Sequence, residues 1–166
     1  MTSDIIIREM TARDWDDVKR IYEQALPDAS ATFQTQCAPY PEWDEKHCDT
    51  CRFVAERDGN VIGWCALSPT SPMPIYSGVV EVSIYIDRDF SGLGIGTSLL
   101  SRVCEESEKN GYWCIYSSIF PENYGSIRIH EKCGFRKIGY REKIAKDRFG
   151  VWRDTVLYER RSKIVF

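Results

Sequence analysis

The sequence predicts an α/β (α+β) fold, with a mixed and mostly antiparallel central sheet of about six to seven strands and helices on both faces. Three observations predict it. Strand-like and helix-like segments follow one another as β-α-α-β-β-β-α-β-α-β-β. The 166 residues, 43% of them hydrophobic, allow one well-buried core and are short for two, so residues 1–166 read as a single domain. No repeat, low-complexity tract or linker divides them.

Ile5 to Met10 is a short apolar strand. Thr11 follows as a helix cap with Asp14 three residues on, a variant of the capping box that satisfies free backbone N–H groups. Trp15, Val18, Ile21, Tyr22 and Ala25 then recur at helical spacing until Pro27 stops the run. Asp28 to Pro41 mixes polar and aromatic residues and reads as a loop, and Pro41 opens a second short helix to about Cys48. Arg52–Arg57 and Val61–Leu67 are strands around Asp58-Gly59, a dipeptide suited to a tight hairpin turn. Ser68 to Ser77 holds three prolines and is a loop.

The strand Val79–Ile86 carries one carboxylate, Glu81, and leads to Ser91-Gly92-Leu93-Gly94-Ile95-Gly96. Glycines on alternate positions at a helix start leave backbone N–H groups uncovered, a cradle for phosphate. A helix from about Gly94 to Lys109 presents Ile95, Leu99, Leu100, Val103 and Cys104 inward and ends at Asn110-Gly111. Tyr112–Phe120 is a strand, and Asn123–Lys132 is a helix closed by Cys133-Gly134. Phe135 to about Lys143 and Val151–Arg160 are the last strands.

Composition excludes several classes of function. A net charge of −3 argues against a nucleic-acid partner, which needs a basic face. The locally basic segment Arg136–Arg148 reads as a solvated strand and loop, with steering of an anionic ligand as its other reading. No apolar run reaches the roughly eighteen residues of a membrane helix, and the start at Met1-Thr2-Ser3-Asp4 lacks a signal-peptide pattern, so a soluble cytoplasmic protein is expected. Seven irregularly spaced cysteines suit reduced thiols better than a disulfide framework. His47, Cys48 and Cys51 lack a paired Cys-x-x-Cys to complete a zinc site, even with Cys37, so no metal is expected.

The glycine loop fits neither common nucleotide motif. No lysine follows its last glycine, as a Walker A loop requires, and Thr97 stands where a dinucleotide fingerprint beginning at Gly92 needs glycine. The order strand, glycine loop, helix, strand, then Asn-x-x-Ser-x-x-x-His on a helix ending in Gly-Phe resembles the GNAT superfamily of acyl-CoA-dependent N-acetyltransferases. The match to its Gln/Arg-x-x-Gly-x-Gly/Ala signature lies at Gly94 and Gly96, with Ser91 in place of Gln or Arg. Ala31-Thr32-Phe33-Gln34-Thr35, Tyr76, Val80-Glu81-x-Ser83-Ile84-Tyr85-Ile86, Asn123 to Phe135, and Phe149-Gly150-x-Trp152-x-Asp154 are similar to the phosphinothricin N-acetyltransferase and L-amino acid N-acyltransferase group. The likeness covers nearly the whole chain, with Ser77 where such relatives often carry arginine beside the substrate.

This resemblance implies the GNAT fold and acetyl-CoA as co-substrate. The acceptor would be the amine of a small amino acid or its analogue, and the protein a homodimer. It also implies roles. The backbone of Gly92, Leu93, Gly94, Ile95, Gly96 and Thr97 would hold the CoA pyrophosphate, and Ile84, Tyr85 and Ile86 would pair with the pantetheine arm as a pseudo-strand. Asn123 and Ser126 would complete the cofactor contacts. Glu81 would be the general base, since a free alkyl amine is mostly ammonium at neutral pH. By alternation alone Glu81 shares a polar phase with Ser83 and Tyr85, which also suits a solvent-facing residue. His130 shares a helix face with Asn123 and Ser126, and would either protonate the leaving thiolate or assist the base; without the resemblance it reads as a structural histidine. Phe33 and Tyr76, with Trp43, would wall the acceptor pocket, although each is equally suited to plain core. Direct attack is expected over an acyl-enzyme, with Cys114 and Cys133 near the motifs as alternatives. The other function classes are a protein or peptide N-acetyltransferase and a non-catalytic acyl-CoA-binding module.

Overall fold

The computed structural model describes residues 4–166; Met1–Ser3, on which the expectation about the start of the chain rests, lie outside them. Among the described residues, seven strands form one sheet in the order β1-β2-β3-β4-β5-β7-β6. The strands are β1 (Ile6–Glu9), β2 (Phe53–Arg57), β3 (Asn60–Pro69), β4 (Val79–Ile86), β5 (Cys114–Ile119), β6 (Arg136–Lys146) and β7 (Trp152–Arg161). Every neighbouring pair is antiparallel except β4 and β5. The helices are α1 (Trp15–Glu23), α2 (Tyr40–Lys46), α3 (Ile95–Lys109) and α4 (Tyr124–Lys132).

Alternation sorts the core into two layers. Val54, Trp64 and Ala66 turn to the face covered by α1 and α2, where Val18, Ile21 and Trp43 meet them. Phe53, Ala55, Cys65 and Leu67 turn to the opposite face, under Leu99, Leu100 and Val103 of α3. Because β2 and β3 are covered on both sides, their sequences read as apolar runs instead of a clean alternation. Leu99 and Leu100 are fully enclosed, each worth about 2 kcal/mol of burial. The hairpin turn takes left-handed geometry at both central residues, φ 52° at Asp58 and 78° at Gly59, the combination that matches strand twist.

Local chemistry sets the remaining ends. Asp14 accepts from the Thr11 backbone N–H at 2.8 Å and closes the expected capping box, while Arg8 binds both its oxygens. Asn123 caps α4, its Oδ1 accepting from Ser126 N–H at 3.3 Å. At the far edge, Asp154 of β7 accepts from the Tyr140 hydroxyl and from the Lys143 backbone N–H, holding a bulge in β6 where Lys143 has φ 47°.

Two expectations shift. The α1 helix closes at Glu23, and separate turns carry the chain to Leu26. The second helix ends at Lys46, so His47, Cys48 and Cys51 belong to the connection that follows. His47 stacks on Trp43 and its Nδ1 is 2.6 Å from the Trp43 carbonyl, and Cys51 lies in the core. Among the described residues no group of His, Cys, Asp or Glu is arranged to hold a metal ion.

Strands β4 and β5 pair over only Val79–Glu81 and Cys114–Tyr116 before they part. Gly78 and Trp113 lie just before that short ladder. The Gly78 carbonyl accepts from Trp113 N–H at 2.9 Å, and a Cβ on Gly78 would lie 2.0 Å from the Trp113 ring. A rigid indole cannot fold away, so we expect Gly78→Ala to cost about 1–3 kcal/mol by overpacking, read as a lower urea midpoint. An unchanged midpoint would show that this contact does not constrain the strand pair.

Candidate active site

The site begins where β4 loses its second neighbour. Through Ile86, β4 stays paired with β3, but from Val82 onward no strand among the described residues lies on its other side. Every second residue there turns its N–H and C=O toward the gap, an open strand edge inside the fold. Ile84 and Tyr85 line the cavity of about 430 Å³ that fills the gap, while Ile86 packs against the α3 core instead.

Glu81 is the last β4 residue with a β5 partner. Its carboxylate lines this cavity and a second one of about 670 Å³, standing where they adjoin. It is half-buried without an ion-pair or hydrogen-bond partner among the described residues, and this desolvation raises its pKa above the usual carboxylate range. The solvent-facing alternative is therefore not what the fold builds.

His130 reaches the 430 Å³ cavity from α4 and is 1% exposed. Its Nδ1 lies 2.7 Å from the Ser126 carbonyl, and a carbonyl only accepts, so Nδ1 carries the proton. Burial lowers the pKa, leaving a neutral ring at pH 7 whose Nε2 is a bare lone pair with no partner. That tautomer presents Nε2 to the cavity as a hydrogen-bond acceptor. Asn123 and Ser126 line the same cavity, and the Asn123 oxygen is already committed to the α4 cap.

The glycine loop lies outside both cavities, at the start of α3. Gly92 and Gly94 adopt φ 79° and 78°, and nothing stands within 4 Å of where a Cβ would be. Left-handed glycines therefore stand ahead of the α3 N-terminus with open space beside their backbone, a geometry compatible with anion binding. Leu93 is half exposed beside them, and Ile95 turns into the core. Gly96 has a different reason for being glycine: a Cβ would lie 2.5 Å from Ile129 Cδ1, so it brings α3 close to α4. Thr97 enters the same helix turn, its carbonyl facing the Cys133 thiol. Ser91 caps back onto the Arg88 carbonyl through its hydroxyl at 3.2 Å.

Phe33 lines both cavities and meets Phe120 edge to face at 4.9 Å. Trp43 is buried and lines the smaller one. Tyr76 is 47% exposed on a short turn and lines neither, as does Ser77. The sequence reading missed Ser118, Phe120, Thr155 and Arg141, which line the cavities from β5, the segment after it, β7 and β6. Only strand pairing brings them to the site. It also missed Trp64, whose indole N–H is buried without a partner in the smaller cavity. Of the thiols, Cys114 lines the larger cavity, but burial and Glu159 push it up to about 11, which disfavours it as a nucleophile. Cys133 lines neither cavity.

Comparison with known proteins agrees with this architecture. A phosphinothricin N-acetyltransferase of Streptomyces coelicolor is 25% identical, covering 96% of this chain and 97% of its own. Another of that name, from Alcaligenes faecalis, is 32% identical over 108 residues, 64% of this chain and 54% of the relative. The crystal structure of a GNAT superfamily phosphinothricin acetyltransferase from Sinorhizobium meliloti, in complex with acetyl-CoA, superposes with a TM-score of 0.84 at 25% identity, over 100% of this chain and 96% of that one. Residues 15–135 match the acetyltransferase (GNAT) family model, and the chain belongs to that family.

Proposed function

We propose that this protein transfers the acetyl group of acetyl-CoA to the amine of a small amino acid or amino-acid analogue, of the phosphinothricin or methionine sulfoximine type. The names of its relatives support the acceptor class. The observation that carries the chemistry is Glu81, an unpartnered and half-buried carboxylate at the point where β4 and β5 separate.

Acetyl-CoA supplies the activated thioester carbonyl when bound. The chain's residues fit it: the amides of Gly92 to Thr97 would hold its pyrophosphate, and the free edge of β4 at Ile84–Ile86 would pair with its pantetheine arm. A β4 amide N–H would polarise the thioester carbonyl, and Asn123 and Ser126, which line the same cavity from α4, would border the arm. The acceptor enters as an ammonium ion and gives a proton to Glu81, directly or through one water. The raised pKa of Glu81 makes this transfer less uphill. His130, a neutral acceptor at Nε2, supports proton removal in the same cavity. Attack on the thioester is direct, since among the described residues the thiols that line the site, Cys37 and Cys114, are both shifted up. The adduct then expels CoA, and the amine's second proton passes to the departing thiolate.

We infer a homodimer, supported by the exposed apolar side chains of Tyr140, Phe149, Val151 and Trp152 on the outer hairpin. Seven free thiols support a reducing compartment such as the cytoplasm.

The acceptor reading is tested by following CoA thiol release with acetyl-CoA and free amino acids, methionine sulfoximine, phosphinothricin and peptides. Turnover on peptides alone sinks it, and tight CoA binding with turnover on none favours a binding module. For the base, Glu81→Gln should lower kcat by about 10²- to 10⁴-fold with little change in CoA affinity. Its thermal midpoint at pH 7 should not fall, because the variant removes a poorly solvated charge. In the unaltered enzyme kcat/KM should decline as pH drops through the raised Glu81 pKa; a flat profile in both proteins rejects Glu81 as base. His130 gives a stability prediction. Its folded pKa is depressed, so the unfolded chain takes up the proton more readily, and stability is lost as pH falls through about 6.5. Urea midpoints at pH 7.5 and 5.5 should therefore differ more in the wild type than in His130→Phe, and equal differences would refute the buried neutral ring.

A further inference from the structure

We infer that Arg141 anchors the acid group of the acceptor, in the cavity that Glu81 borders at its other end. The inference rests on the reading of Glu81 as the base that receives the acceptor's amine. Strand register supplies the first argument. Glu81 is opposite Tyr116, Tyr116 is opposite Glu159, and Thr155, four residues before Glu159 on β7, is opposite Arg141. Even spacing keeps all of them on one face of the sheet. That face is the floor of the 670 Å³ cavity, whose lining includes Glu81, Ser118, Arg141, Thr155 and Glu159.

Charge supplies the second argument. Arg141 is the one positively charged residue lining this cavity, and among the described residues its guanidinium has no ion pair or hydrogen bond. The nearby carboxylate Glu159 is already engaged, by Arg136 at 2.7 Å and by the Cys114 thiol. Glu81 is unpaired. The cavity therefore has one uncompensated negative pole and one uncompensated positive pole, with the hydroxyls of Ser118 and Thr155 among its lining. A molecule carrying an ammonium and a carboxylate complements that pattern. Backbone to backbone, the poles are three strand spacings apart across the sheet and four residues apart along it, about 20 Å, and the two side chains reaching toward each other leave room for an amino acid. Arginine suits the task because its planar fork meets a carboxylate through paired N–H groups and stays charged at any working pH.

The test compares L-methionine sulfoximine, L-methionine and L-methioninamide as acceptors for the wild type, Arg141→Ala and Arg141→Lys. Between proteins, the differing basicity of the acceptor amines cancels. We expect Arg141→Ala to lower the acid-over-amide ratio of kcat/KM by about 10- to 100-fold, mostly through KM, with partial recovery in Arg141→Lys. An unchanged ratio in an active Arg141→Ala enzyme overturns the anchor while leaving the base reading intact. If the wild type turns over no small amine, the small-acceptor reading fails separately. Calorimetric titration of L-methionine into wild type and Arg141→Ala then decides the anchor alone, and equal affinity, or no binding to either, overturns it.

Discussion

The site depends on one constraint: β4 and β5 run parallel for three residue pairs and then separate. Up to Glu81 the two strands satisfy each other's backbone groups. Beyond it, β4 remains rigid because β3 still holds its other edge from Val80 to Ile86. A strand with one edge paired and one edge free is an unusual object inside a domain, since unpaired buried amides are costly. Here the free edge opens into a cavity, where a ligand with its own donors and acceptors would restore the missing ladder. Gly78 and Trp113 brace the closed end, and Gly63 lets Ile95 and Leu99 of α3 press against the sheet behind it. The fold thus fixes where the gap starts, and the gap decides which side chain stands at its apex.

Several polar groups in this region are worse solvated than stability alone would favour. Glu81 lacks a counter-ion, and Nε2 of His130 and the indole N–H of Trp64 are buried without partners. Each costs on the order of 1–3 kcal/mol relative to a satisfied or apolar equivalent. They gather around one cavity instead of being scattered through the core. Elsewhere, charges are met: Asp14 by Arg8, Asp87 by Arg20, Glu108 by Arg160. A structure that satisfies its polar groups with care in the scaffold and leaves them open in one place has marked that place for a ligand.

Local rules carried much of the sequence reading and stopped at long-range pairing. Helical spacing identified the buried side of α3, and Asp58-Gly59 and Asn123 marked a turn and a cap through their own backbone chemistry. Glu81 stood out as a single carboxylate in an apolar strand. Its environment did not, because alternation gives the face of a residue and not what covers it. Ser118, Thr155 and Arg141 carry no local mark at all; they meet Glu81 through the order β4-β5-β7-β6, which inserts the last strand of the chain inside the sheet. Gly96 shows a second reason for a glycine that spacing does not reveal: it sits in a glycine-rich loop, and its missing Cβ makes room for the approach of Ile129. Tyr76 belongs to a motif that resembles the family, yet its side chain lies outside both cavities.

Placing the proposed base and the proposed carbonyl-binding edge on one strand has a consequence for how precisely they would act together. The free edge from Val82 to Ile86 begins one residue after Glu81, so its near amides lie within about 10 Å of the carboxylate along a strand rising about 3.3 Å per residue. Neither group needs a loop to move or a helix to shift before the two are in register. Their separation is as invariant as the strand itself, held by its pairing with β3 and by the layers of side chains on both faces. What varies is outside β4. The proposed anchor for the acceptor's far end lies on β6 beside β7, where a bulge at Lys143 is held by Asp154. The proposed chemistry thus stands on a strand held from both faces, and the proposed recognition on an outer hairpin whose turn and bulge can change without disturbing it.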